Sequence, residues 1–195
     1  MSATIPIFIN CAAPPRPTLV RCRALGQAIG RWAEGLDARV LFIASGGLSH
    51  DPPTPEIAQV SPEVRARLIG GVPASHSERF SRQQNVRRLG LAFPKGDSGL
   101  RALNPGWDQA FLKNLSASTL DFADHYRDDE LTEAAGRGAH EIRTWLAAWS
   151  AAAVAGPLHT EIGFSEPIEE WITACAIATA TPSRASATMP PGAFA

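Results

Sequence analysis

The sequence predicts an α/β protein, a parallel or mixed sheet with flanking helices. Two continuous apolar runs, Ile5-Pro6-Ile7-Phe8-Ile9 and Arg39-Val40-Leu41-Phe42-Ile43-Ala44, read as buried strands. Between them the stripe Leu19, Cys22, Leu25, Ile29, Trp32, Ala33, Leu36 has helical spacing. Strand, helix and strand in that order form a βαβ unit, and such units build parallel sheets covered by helices.

The elements come in chain order. Asn10 to Pro17 holds three prolines and is a loop, and Asp37-Ala38 turns the chain into the second strand. After that strand comes Gly46-Gly47-Leu48-Ser49-His50-Asp51-Pro52-Pro53. Glycines let the backbone turn sharply, and prolines stiffen an extended path beyond the turn. His50 is thereby placed just past a strand end, where open α/β sheets bind ligands. Ser61-Pro62-Glu63 caps the first of two helices covering 61–93, and Arg79, Arg82, Arg87 and Arg88 make a solvated face on the second. Asn104-Pro105-Gly106-Trp107-Asp108 leads into a short helix through Phe111, Leu112 and Leu115. Residues 116–135 suggest two short helices. The helix after Gly136-Arg137-Gly138-Ala139 buries Ile142, Trp145, Leu146, Trp149 and Ala153. Residues 156–170 read as loop, with a short segment around Trp171. Nothing after residue 44 reads as another strong strand. A sheet covered on both faces needs more than two, so part of it is expected from a partner chain or from an N-terminal portion outside this sequence. Residues 1–180 are expected to form the folded unit. Residues 181–195, with three prolines and no apolar periodicity, are expected to be a disordered tail.

Composition narrows the function. Eighteen basic and nineteen acidic residues leave a net charge of −1, which argues against a nucleic-acid binder. No window approaches the ~18 apolar residues of a membrane span, and the N-terminus lacks the basic region of a signal peptide. A cytoplasmic protein is expected. Cys11, Cys22 and Cys175 have no disulfide or zinc spacing and read as reduced thiols. The sequence contains no phosphate-binding loop and no nucleophile elbow.

Two residues carry candidate chemistry. An imidazole exposed by a Gly-Gly turn can exchange protons near neutral pH, so His50 is a candidate acid/base as well as an ordinary structural histidine. Glu141, at the start of the buried-stripe helix, either complements the helix dipole or serves as a ligand. From spacing alone both readings stay open. His76, His125, His140 and His159 form no metal-ligand motif.

With Gly46-Gly47-Leu48-Ser49-His50 and His140-Glu141-Ile142-Arg143-Thr144-Trp145 in view, the chain resembles the C-terminal part of the class III extradiol ring-cleavage dioxygenases. Further matching stretches are Ile5 to Asn10, Leu25 to Arg31, Val40 to Ser45, Leu103 to Asp108 with Phe111, and Pro167 to Ile172. The resemblance runs collinearly to about residue 175. It implies Fe(II)-dependent opening of a catechol such as 2,3-dihydroxyphenylpropionate by O2, next to its two hydroxyls. In such enzymes two histidines and one glutamate hold the iron on one face. The resemblance assigns His50 as the acid/base histidine and Glu141 as the carboxylate ligand. It also implies a homo-oligomer. The family's two iron-binding histidines belong to the N-terminal half of a longer chain, and this sequence has no counterpart of them. The expectation is a site completed by a chain supplying that half. An inactive truncated chain and a non-catalytic dioxygenase-like subunit are the alternatives.

Overall fold

A computed structural model describes residues 4–55, 57, 59–117 and 119–183. The fold is mixed α/β. Helix α1 (Leu19–Glu34) is capped by Thr18, whose hydroxyl accepts the Arg21 N–H. Helices α2 (Pro62–Ile69) and α3 (His76–Ala92) start at Ser61 and Ser75, the latter in a reciprocal box with Glu78. Helix α4 (Pro105–Leu115) starts at Asn104, α5 (Asp128–Ala135) follows a 3₁₀ turn at Asp121–His125, and α6 (Ile142–Ala152) follows another at Arg137–Glu141. Arg79, Arg82, Arg87 and Arg88 are exposed on α3, as expected of a solvated face. Among the described residues no helix is long and apolar enough to cross a membrane.

The core is built around α6. Ile142 and Leu146 are fully buried on it, against Leu48, Phe111 and Leu115. Trp145 and Trp149 stack with centroids 5.7 Å apart, and Phe111 meets Trp145 edge-on at 6.4 Å. The indole N–H of Trp149 donates to Thr160 Oγ1 at 3.2 Å, so both polar and apolar parts of that ring are used.

Helix α1 lies against α6 along a seam of small residues, Cys22, Gly26 and Gly30, spaced four apart. A Cβ on Gly26 would fall 2.1 Å from the Ala147 carbonyl oxygen, and one on Gly30 would fall 2.3 Å from that of Ala151. Backbone sets these distances, so the helices would have to separate. Gly26→Ala should therefore destabilise the chain by about 1–3 kcal/mol, despite the better helix propensity of alanine. Urea denaturation measures this, and an unchanged or raised midpoint would contradict it.

The sheet differs from the expectation. The described residues form one two-stranded antiparallel sheet, β1 (Leu158–Ile168) and β2 (Thr173–Pro182). Residues 156–170, read as loop, thus contain a strand of eleven residues. The reason is alanine: Ala174, Ala176, Ala178 and Ala180 face the core at period two, a pattern too weakly apolar to announce a strand. Thr181 and Pro182, expected in the tail, pair with His159 and Leu158, while 184–195 lie outside the described residues.

Residues 5–9 and 39–44 run without helix or ladder. Among the described residues none of their backbone groups makes a backbone–backbone hydrogen bond. Their apolar side chains are largely open to solvent: Phe8 is 93% exposed, Leu41 80% and Ile43 82%. The two segments lie over α6, separated by a shallow groove lined by Ile5, Ile7, Ile9, Leu41 and Ile43. These segments have strand-forming composition without strand pairing among the described residues.

Candidate active site

The turn between the second extended segment and His50 is held on every side. Thr144 Oγ1 donates to Ser45 O at 2.9 Å and the Trp145 indole to Gly46 O at 3.2 Å. Glu141 Oε2 accepts the Gly47 N–H at 2.6 Å. Leu48 N donates to Ala174 O, and Ala174 N returns a bond to Ser49 O. Ser49 N and Oγ both donate to the Asp108 carboxylate, at 2.7 and 2.6 Å. His50 N donates to Ala135 O, and His50 O accepts from Gly138 N, both at 2.9 Å. Partners from α4, α5, α6 and β2 therefore converge on one short turn. Paired backbone polar groups fix a loop as firmly as a regular element.

Both glycines of the turn are needed for close approach. A Cβ on Gly46 would lie 2.7 Å from Glu141 Cβ, and one on Gly47 would lie 2.7 Å from His50 Cε1. One dipeptide therefore seats Glu141 on one side and His50 on the other. The structure brings together the two residues singled out in the sequence.

The His50 ring is oriented by its surroundings. Nδ1 lies 3.0 Å from Leu48 O. A carbonyl only accepts, so Nδ1 carries a proton, and in the neutral ring Nε2 is the acceptor nitrogen. A Cβ on Gly138 would fall 2.0 Å from Nε2 and 2.2 Å from both adjacent carbons, so this glycine lies under the face of the ring rather than off its edge. Gly136, at φ 86°, passes close to the His50 carbonyl, a conformation only glycine adopts readily. The loop after His50 is clamped by Arg137, which donates to Asp51 Oδ1 at 2.6 Å and to Pro52 O at 2.9 Å. The half-buried ring thus presents an acceptor nitrogen from a fixed frame.

The other histidines do not join it. His76, His125 and His159 are exposed, and His159 lies 3.2 Å from Glu161. His140 is fully buried beneath the site. Arg143 donates to His140 Nδ1 at 2.7 Å and cannot accept, so Nε2 carries the proton and donates to Thr132 Oγ1 at 2.8 Å. Burial, then the charges of Arg16 and Arg143, pull the His140 pKa down to about 4, against the opposing pull of Asp128. Above the ordinary value near 6.5 the ring is neutral folded and unfolded alike, and its contribution is fully present. As pH falls toward 4 the unfolded chain gains a proton that the fold refuses, and stability drops by up to about 3 kcal/mol. Urea midpoints of the metal-free chain should fall between pH 7 and pH 4.5, and less steeply in His140→Asn. Equal slopes would contradict this.

Burial raises the pKa of all three thiols, with Cys22 pushed to about 11. They are free and protonated at neutral pH, as expected of unreactive cysteines. Asp108, Ser49 and Asn104 were not singled out from sequence. Asp108 is 3% exposed, burial raises its pKa, and the Ser49 hydrogen bonds and the nearby His50 oppose that rise.

Among the described residues no three of His, Cys, Asp and Glu gather where a metal ion could sit. Glu141 offers one carboxylate, with Oε2 already accepting from Gly47. By themselves these residues do not make a complete metal centre.

The family model of the catalytic LigB subunit of aromatic ring-opening dioxygenase matches residues 2–175. A protein of Cupriavidus pinatubonensis named 2,3-dihydroxyphenylpropionate/2,3-dihydroxicinnamic acid 1,2-dioxygenase is 45% identical over 179 residues, 92% of this chain and 57% of that protein. Proteins of the same name from a Rhodococcus species and from Mycobacterium ulcerans are 45% and 44% identical, over 91% of this chain and 56% and 57% of their own lengths. The chain spans just over half the length of these curated relatives.

Proposed function

The chain belongs to the family of catalytic LigB subunits of aromatic ring-opening dioxygenases, and from that membership we propose that it supplies the proton-transfer residue and one metal-binding carboxylate of an extradiol dioxygenase site. The reaction is the opening of a catechol such as 2,3-dihydroxyphenylpropionate by O2 with Fe(II), in the breakdown of aromatic compounds. The observation that carries this reading is the Gly46–His50 turn, which holds Glu141 by the Gly47 N–H and seats the His50 ring against the same glycine. In this assignment His50 Nε2 accepts a proton from a catechol hydroxyl, and the resulting imidazolium later returns one to the product. The Leu48 carbonyl keeps Nδ1–H in place throughout, so the proton enters and leaves at one nitrogen. Glu141 would give Fe(II) one anionic ligand, and the two neutral nitrogen donors would come from outside the described residues.

The unpaired segments 5–9 and 39–44 support a second part of the proposal. They are strands of a parallel or mixed sheet that is completed by a chain supplying the N-terminal half of the fold. Added strands would pair their open backbone and cover Leu41 and Ile43. Residues 1–180 then act as the C-terminal part of one catalytic domain, in a cytoplasmic homo-oligomer. A non-catalytic subunit is the second reading, favoured by the incomplete donor set; it predicts no iron binding even with a partner.

Mixing the chain with Fe(II), 2,3-dihydroxyphenylpropionate and a polypeptide matching the rest of the relatives should give O2 uptake and a yellow ring-fission product. A folded, bound partner with no O2 uptake would overturn the assignment.

A further inference from the structure

We infer that Asp108 is a positioning residue for His50, acting through Ser49. This rests on the assignment of His50 as the acid/base group. A buried carboxylate is costly unless its oxygens are used, and here both are taken by a single residue. Oδ1 accepts the Ser49 N–H at 2.7 Å and Oδ2 the Ser49 hydroxyl at 2.6 Å. The Ser49 oxygen in turn accepts the N–H of Asn104, the cap of the helix that carries Asp108, at 2.9 Å. Asn104 also ties α4 to the end of α5, its amide donating to Ala134 O at 2.8 Å.

The geometry points to His50 because Ser49 is its immediate neighbour and is gripped at N–H, hydroxyl and carbonyl together. With Ser49 fixed, the Leu48 carbonyl and the His50 N–H can only point where they do. The first of these orients Nδ1–H. Charge adds to this: Asp108 lies close enough to interact with His50, while Asp51 is already neutralised by Arg137 and the Glu141 carboxylate sits across Gly47. Both Asp108 oxygens are spent on Ser49, so the residue acts on the base and not on substrate.

Two measurements on different footings test this. Long-range ¹⁵N–¹H correlation in the isolated chain reads the His50 tautomer directly, with no need for activity. The wild type should show Nδ1–H alone, and Asp108→Asn should show a mixture with Nε2–H. Ser49→Ala, which keeps the backbone bond, should show a smaller admixture and serves if the first variant fails to fold. An unchanged tautomer in either folded variant would overturn the inference. In the assembled enzyme, Asp108→Asn should lower kcat about 10²-fold through misplacement of the base, leaving KM for the catechol within about twofold. It should cost nothing further in a His50→Ala background, since a residue acting through another has no effect once that other is gone. Equal losses in both backgrounds would also overturn the inference. If no assembled enzyme forms, the ring-opening assignment fails while the tautomer result still decides the role of Asp108.

Discussion

Glu141→Ala should strip iron from the assembled enzyme and take ring opening to background. Two separate losses are combined in that variant. The Gly47 N–H loses its acceptor at 2.6 Å, which costs about 1–3 kcal/mol for a partly buried donor. On the proposed assignment the carboxylate ligand is lost as well, and two histidines alone hold Fe(II) poorly against water. Glu141→Gln separates the effects. Its side-chain oxygen can still accept from Gly47, so the turn and the folding midpoint should stay near wild type, while the anionic ligand is gone. Iron measured after gel filtration should be near zero in the alanine variant and well below one equivalent in the glutamine variant. Stoichiometric iron in Glu141→Ala would show that the carboxylate belongs to the turn and not to a metal.

His50→Ala should behave in the opposite way, keeping iron and losing turnover. The backbone bonds of His50, to Ala135 O and from Gly138 N, do not involve the ring. The turn therefore survives truncation, and Glu141 keeps its seat on Gly47. On the proposed assignment what is lost is proton transfer, worth about 10²–10⁴-fold in rate. Single-turnover rates on iron-loaded protein would read that loss. Iron depletion matching that of Glu141→Ala would contradict the division of roles between the two residues.

The helices could be read from the sequence because their signals are local. Ser61 caps where its side chain suggests, and the stripe from Ile142 to Trp149 is the buried face of α6. The sheet could not be read in the same way. Segments 5–9 and 39–44 have the composition of central strands, yet pairing depends on neighbours, and none of the described residues pairs with them. Strand β2 carries the reverse lesson: its inward alanines have little apolar signal, but ten residues pair because β1 folds back on them. In the site, Gly-Gly before a histidine marked the turn. Asp108 was one of nineteen acidic residues, and only the fold shows it buried against Ser49. Likewise, sequence spacing left His140 beside Glu141 without a role; the structure turns it away, into a buried network with Arg143 and Thr132.

Anaerobic Fe(II) titration of the purified 195-residue chain, and then the same titration with a polypeptide matching the rest of the relatives, tests the central claim most directly. Glu141 without histidine ligands should give only weak binding to the chain alone, and the mixture should take up one equivalent tightly. One tightly bound iron in the chain alone, with nitrogen ligands from its own histidines, would contradict a site completed from outside.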